Sequence, residues 1–220
     1  SVRRALDASA VTRAVYVSGL IPQVDTAELS EHLLSRWEVE RELSRSRVPV
    51  ITIRAAIVLG SGSTSFEVLG QLAGRLPVTV VPDRMNSRVE PIAVVDLVAA
   101  VLGAARSDLP TTSFDVAGGE IISYPDLLKR YGDITGMPRA QIRVPFLPDA
   151  VLGRVGAWIA DAPSETVAAL MESLRHDMIA RDHRWIGTLV LPNHRPLGID
   201  QALCRAVLRP DPGTPPERLH

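Results

Sequence analysis

Three side chains in the first 40 residues have the types and spacing to do chemistry. Ser18 closes the apolar run AVYVSGL ahead of Gly19, and His32 and Arg36 stand four residues apart in SEHLLSRWEVE. Residues i and i+4 share a helix face, so an imidazole and a guanidinium at this spacing reach one pocket. A histidine can donate a proton near neutral pH, and a permanently charged arginine can hydrogen-bond a ribose or a phosphate. A serine at the end of the preceding strand would add a hydrogen bond to a carbonyl oxygen. The set fits three readings: a site that protonates a bound carbonyl, a wall that binds cofactor without chemistry, or solvated helix surface with Ser18 satisfying a turn.

Other constellations carry less. Gly60 and Gly62 follow VPVITIRAAIVLG and precede FEVLGQL, with Asp83 about 20 residues on, a layout that mimics a dinucleotide fingerprint. Ser65 stands where its third glycine belongs. His176, His183 and His194, with Asp177 and Asp182 nearby, show no metal-ligand spacing and read as surface residues. Trp37, Trp158 and Trp185 read as core or interface anchors. The charges of EVERELSRSR read as surface pairs at i,i+3 and i,i+4.

The elements that must position these residues alternate between strand and helix signals, which predicts an α/β architecture. AVYVSGL is a short strand. Asp25 and Glu28 have capping-box spacing, and Leu29, Leu33, Trp37 and Leu43 recur at near-helical intervals, which predicts a helix over 26–45. VPVITIRAAIVLG, almost continuously apolar, reads as one buried parallel strand. FEVLGQLAGRL reads as a helix, PVTVV and SRVEPIA as short strands, VVDLVAAVLGAA as a helix and TTSFDVAG as a strand. Ser123, Pro125, Asp126 and Gly136 bracket a further helix. Beyond it, FLPDAVLGRVGAWIA and SETVAALMESLRHDMI read as helices, WIGTLVL as a strand and IDQALCRAVL as a last helix that takes Cys204 as a small apolar residue. The Pro-rich tail RPDPGTPPERLH reads as disordered.

Composition sets the outer bounds. The 220 residues, 46% of them hydrophobic, are enough to bury a core. A net charge of −1 gives no reason to expect a nucleic acid or an anionic membrane as partner. One cysteine excludes an internal disulfide and fits a reducing cytoplasm. No apolar run approaches the ~20 residues that span a bilayer.

Four stretches, in order, resemble the short-chain dehydrogenase/reductase superfamily in its extended and atypical NAD(P)-binding branch near the epimerases. YVSG resembles the strand ending at the catalytic serine. SEHLLSRWEVERELSRSRVPVITIRAAIVLG is similar to the active-site helix and the strand flanking the nicotinamide. PIAVVDLVAAVLGA resembles the strand-to-helix segment opened by an aspartate, and FDVAGGEIISYPDLLKRYGDITG the substrate-side helix unit. The family places tyrosine and lysine at Tyr-x-x-x-Lys, and here His32 and Arg36 take those positions.

The resemblance implies a fold and a set of roles. The fold is α/β, the C-terminal part of a doubly wound, parallel, Rossmann-like sheet with a mixed α/β substrate-side region. Residues 1–117 would form the partial NAD(P)-binding domain, 118–208 the substrate-side region and 209–220 the tail. His32 would be proton donor, Ser18 would hold the substrate, Arg36 would hold the nicotinamide ribose of NAD or NADP, and Ala55, Ala56 and Val58 would line the nicotinamide end. The partner would be a small-molecule substrate. The family's Gly-rich pyrophosphate loop does not precede YVSG, which predicts a truncated protein of impaired or absent catalysis, or a non-catalytic nucleotide sensor or scaffold. It also predicts an unpaired sheet edge through which copies associate.

Overall fold

A parallel sheet of three strands anchors the computed structural model, which describes residues 2–63, 66–67, 69–71, 78–82, 87–138, 140–144 and 176–207. Strand β1 (Ala14–Gly19) pairs with β2 (Val50–Ala55), and β2 pairs with β7 (Thr112–Val116). The register sets Ser18 beside Arg54 and Arg54 beside Asp115, so these three side chains form one row across the sheet. The alternate face carries Ile51, Ile53, Phe114 and Val116, all buried. Helix α2 (Glu31–Leu43) covers the polar row, and α3 (Val94–Arg106) covers the apolar face through Ala100 and Ala104. Helices on both faces of a parallel sheet are the doubly wound arrangement that the sequence predicts.

The 13-residue helix α2 begins later than its pattern predicts. Residues Thr26–Glu28 form a single 3₁₀ turn, and the helix is capped by Ser30, whose Oγ accepts from the backbone of Leu33 at 3.2 Å. The Asp25–Glu28 spacing therefore marks the wrong N-terminus, because Ser30 satisfies the first orphan donors instead. A short helix α1 (Val2–Asp7) docks on α2 through Arg3, which reaches Glu42 at 2.7 Å.

The single strand expected over VPVITIRAAIVLG is two. After Ala55 the chain leaves β2, and β3 (Val58–Leu59) pairs with β6 (Ile92–Ala93) instead. Strand β4 (Val78–Pro82) pairs with β9 (Ala140–Val144), and β5 (Arg88–Val89) runs antiparallel to β8 (Ile122–Ser123). Helix α4 (Tyr124–Ile134) starts as its sequence predicts: Ser123 accepts from the backbone of Asp126 and Pro125 sits in the first turn. Gly136 stops it with φ 70°, a left-handed conformation that costs glycine little.

A second core cluster joins Leu59, Val89 and Ala93 to Leu127, Leu128, Ile199 and Leu203, so packing runs across the 117/118 boundary. Helix α5 (Ile199–Val207) closes it, with Cys204 exposed on its outer side.

The strand expected from WIGTLVL is a turn. Leu189 donates to the carbonyl of Trp185 at 2.8 Å, and Ile186 and Val190 form only an isolated bridge. The turn buries Trp185 completely in the α3 side of the core. Residues 176–178, the end of an expected helix, are not helical, and Met178 bridges Val89. The expected helix over 146–160, Trp158, Asp83, Ser65 and the tail 209–220 lie outside the described residues. Among the described residues no helix is long and apolar enough to cross a membrane.

Candidate functional site

The carboxyl ends of β1, β2 and β7 are where parallel α/β sheets open a crevice to ligands. Ser18 and Gly19 end β1 there, and Ala55, paired with Gly19, ends β2. Helix α2 passes over the same end. His32 and Arg36 lie one turn apart on it, as the spacing predicts, with Glu31 in its first turn and Arg41 in its last suiting the helix dipole.

Arg36 lies across Gly19: a Cβ built on the glycine would meet the Arg36 guanidinium at 3.7 Å. Its Nε donates to His32 Nε2 at 2.9 Å. That hydrogen bond requires Nε2 to be the unprotonated nitrogen, so the proton of the neutral ring sits on Nδ1. His32 is exposed on the helix surface, and the partial desolvation it does have, then the nearby Arg36 charge, hold its pKa below the ordinary histidine value. Arg36 has no carboxylate partner among the described residues. Ser18 Oγ is buried and unpaired. An unpartnered buried hydroxyl costs about 1–3 kcal/mol, a cost that a ligand oxygen would remove.

Ala55 and Ala56 are buried at the end of β2, and the Ala56 N–H donates to the Val116 carbonyl, which keeps this wall apolar and fixed. Val58 lies past the break, on β3, half-buried in the α3 side of the core. Ser18, Gly19, Arg36 and Ala55 are thus brought to one end of the sheet, with His32 attached through Arg36. The glycine pair Gly60 and Gly62 follows β3, where Gly60 packs against the side chain of Val94.

The sequence reading missed a charged network behind this end of the sheet. Arg54 reaches Glu40 of α2 through Nε at 3.0 Å and a second nitrogen at 2.7 Å, and Asp115 at 3.4 Å. Asp115 also accepts from the backbone of Arg181 at 3.1 Å, and the Arg181 guanidinium donates to the Ile21 carbonyl at 3.3 Å. Glu40 is therefore no surface residue, although its neighbour Glu42 does pair with Arg45 at i,i+3. A lone arginine inside ITIRAAI was the available signal, since a buried charge must be paired.

Two histidines read as surface residues each hold a buried carboxylate, His183 from an exposed position and His194 from a half-buried one. His183 Nε2 binds the buried carboxylate of Glu90, which further accepts from Gly119 and Ala180, and His194 Nε2 binds buried Asp96 at 2.9 Å. Each carboxylate is out of water and needs these partners. They tie residues 176–199 across the molecule. Among the described residues no cluster of three or more His, Cys, Asp or Glu could hold a metal. Trp37 is half-buried on α2 under Arg41, 4.6 Å from the ring.

No protein-family model and no curated protein sequence matches the chain. Solved structures do share its fold. A nucleoside-diphosphate-sugar epimerase from Pseudomonas aeruginosa superposes with a TM-score of 0.67 at 17% identity, over 93% of this chain and 68% of its own. UDP-N-acetylglucosamine 4-epimerase from Methanobrevibacter ruminantium, in complex with UDP-N-acetylmuramic acid, gives 0.60 at 13%, over 93% and 64%. UDP-glucuronic acid 4-epimerase from Bacillus cereus, in complex with UDP-glucuronic acid and NAD, gives 0.60 at 11%, over 91% and 62%. The fold is that of these Rossmann-like α/β proteins, and the chain spans about two thirds of their length.

Proposed function

We propose that this chain is an NAD(P)-binding protein of the short-chain-dehydrogenase type, of oxidoreductase or epimerase lineage, in which proton transfer is impaired or absent. The observation that carries this reading is the Arg36–His32 hydrogen bond. A general acid needs a pKa near the working pH and a proton aimed at the substrate. A histidine whose pKa is held down and whose Nε2 lone pair is occupied by Arg36 meets the first condition poorly. The same observation favours the second reading, a nucleotide sensor or scaffold that binds without turning over.

The residues present fit a nicotinamide nucleotide at the sheet end. Arg36 would hold a ribose or phosphate oxygen, Ser18 a polar ligand atom, and Ala55 and Ala56 the apolar ring face, with Val58 behind them. When bound, NAD(P) supplies hydride transfer chemistry. The accompanying small molecule would be a carbonyl compound or sugar nucleotide, in keeping with the names of the proteins that share the fold, and the site of action the cytoplasm.

Calorimetric titration with NADH and NADPH tests the reading. Micromolar binding, weakened about tenfold or more by Arg36→Met, supports it. A folded chain that binds neither nucleotide overturns it. Should binding hold, consumption of bound NADH measured across simple carbonyl compounds separates the enzyme from the sensor.

A further inference from the structure

The amides of Ala180 and Arg181, neighbours in sequence, each donate to a different buried carboxylate: Ala180 to Glu90 at 2.9 Å and Arg181 to Asp115 at 3.1 Å. His183 adds its ring to the same Glu90. Glu90 lies between β5 and β6 and Asp115 within β7, so the two anchors come from different parts of the core. A carboxylate out of water is costly unless its partners are in place. These contacts fix the backbone of Arg181, and a fixed backbone is what holds a long side chain to one target.

That side chain reaches away from its anchor. Its guanidinium donates to the carbonyl of Ile21 at 3.3 Å, while its Nε stays 3.9 Å from Asp115. Ser18, Arg54 and Asp115 share one row across the sheet, so the arginine spans from β7 to the turn that follows β1, on the face where Ser18 lies. On its other side the turn is tied by Leu20, whose amide donates to Ala55 and whose side chain is buried in the α3 side of the core. Ile21 and Pro22 are buried as well. The chain passes through these residues between Ser18 and the cap of α2 at Ser30. Their position therefore bears on Ser18 at one end and on His32 and Arg36 at the other.

We propose that Arg181 is a positioning residue of the candidate site: from 160 residues further along the chain it fixes the 20–22 turn, and with it the aim of Ser18 and the start of α2. The proposal rests on the nucleotide reading of that site. Arg181 acts through the Ile21 carbonyl and not on the reacting atoms. A leucine at 181 would keep its amide on Asp115, and Asp115 would keep Arg54, so no carboxylate is stranded. What is lost is the reach to Ile21. A lysine keeps the cation but replaces the planar fork with a compact head.

Hydrogen exchange of the free chain and calorimetric titration with NADH and NADPH test this on Arg181→Leu, Arg181→Lys and Arg184→Leu. Arg184 is the control, an exposed arginine of the same segment whose guanidinium donates to the Ser113 carbonyl instead. In Arg181→Leu the Leu20 amide should exchange about tenfold faster, the worth of one hydrogen bond from a charged group, with β2 and α3 unchanged. Nucleotide affinity should fall by about the same factor. Arg181→Lys restores part of both, and Arg184→Leu alters neither. Unchanged exchange at Leu20 in Arg181→Leu, or the same rise in Arg184→Leu, overturns the proposal. So does a loosened turn with nucleotide affinity intact, since the contact would then be structural only. A wild-type chain that binds neither nucleotide overturns the nucleotide reading instead, and exchange at Leu20 then decides by itself whether Arg181 sets the turn.

Discussion

At the residue scale, the decisive contact is between two side chains that the sequence alone marks. The i,i+4 spacing of His32 and Arg36 places them together, but which nitrogen faces which was open until the geometry set Nε toward Nε2. This makes the imidazole an acceptor for its neighbour. The folded chain holds the His32 pKa down, so the unfolded chain takes up the proton first. His32 therefore withdraws stability as pH falls through the ordinary histidine range near 6.5, and contributes none of that loss above it. By NMR the His32 midpoint should lie below 6.5, and Arg36→Met, which removes a neighbouring cation, should move it upward. Desolvation is the larger cause, so recovery should be partial. A midpoint that stays put or falls in the variant would show that Arg36 does not act on the ring.

At the element scale, α3 is held by close backbone approach on one flank. A Cβ at Gly103 would stand 1.8 Å from the Leu189 carbonyl oxygen, and the helix and the 185–190 turn would have to part. Gly103→Ala should cost about 3 kcal/mol in denaturant unfolding. Gly19→Ala, whose Cβ would rest 3.7 Å from Arg36, should cost far less. Equal losses would mean that the turn adjusts freely. Helix α1 is held differently, by Asp7, which accepts from the Arg47 backbone and Ser46 at 2.8 Å and sits beside Arg3. The Arg47 backbone hydrogen bond, more than any other contact, holds the Asp7 pKa below its ordinary value. A depressed carboxylate pKa stabilises above the unfolded value and the gain is lost as pH falls through the folded one. Hydrogen exchange in residues 2–7 should accordingly quicken below about pH 4, ahead of the sheet. Uniform loss of protection in helix and sheet would count against separate undocking.

At the scale of the whole molecule, Arg54 and Asp115 join parts far apart in sequence. Glu40 comes from α2, Arg54 from β2, Asp115 from β7 and Arg181 from the segment that crosses the sheet edge. Removing one member of a buried ion network strands the others, which costs about 3–5 kcal/mol where no partner remains and less where one does. Asp115→Leu should destabilise by roughly 2–3 kcal/mol, because Arg54 keeps Glu40, and should speed exchange in residues 180–184. Loss of stability without any change in 180–184 would place Arg181 outside the network.

The sequence by itself determined much of this protein. The alternation of apolar runs and helical periods was sufficient for a parallel α/β sheet, because burial on both faces leaves that signature in β2. Ser123 and Gly136 marked the ends of α4, since capping is local chemistry. The helix-face contact of His32 with Arg36 and the strand-end position of Ser18 were legible for the same reason, through helix spacing and strand ends. Other features required the chain to meet itself. Where VPVITIRAAIVLG breaks and why WIGTLVL turns depend on partners far along the chain, β6 for the first and the α3 side of the core for the second. Glu40, Glu90, Asp96, His183 and His194 look like surface residues in any local window. Only the tertiary structure shows Glu90 and Asp96 buried, each with a histidine partner, and Glu40 paired with Arg54, because the desolvation that obliges a charge to find its partner exists only once distant segments have closed over it.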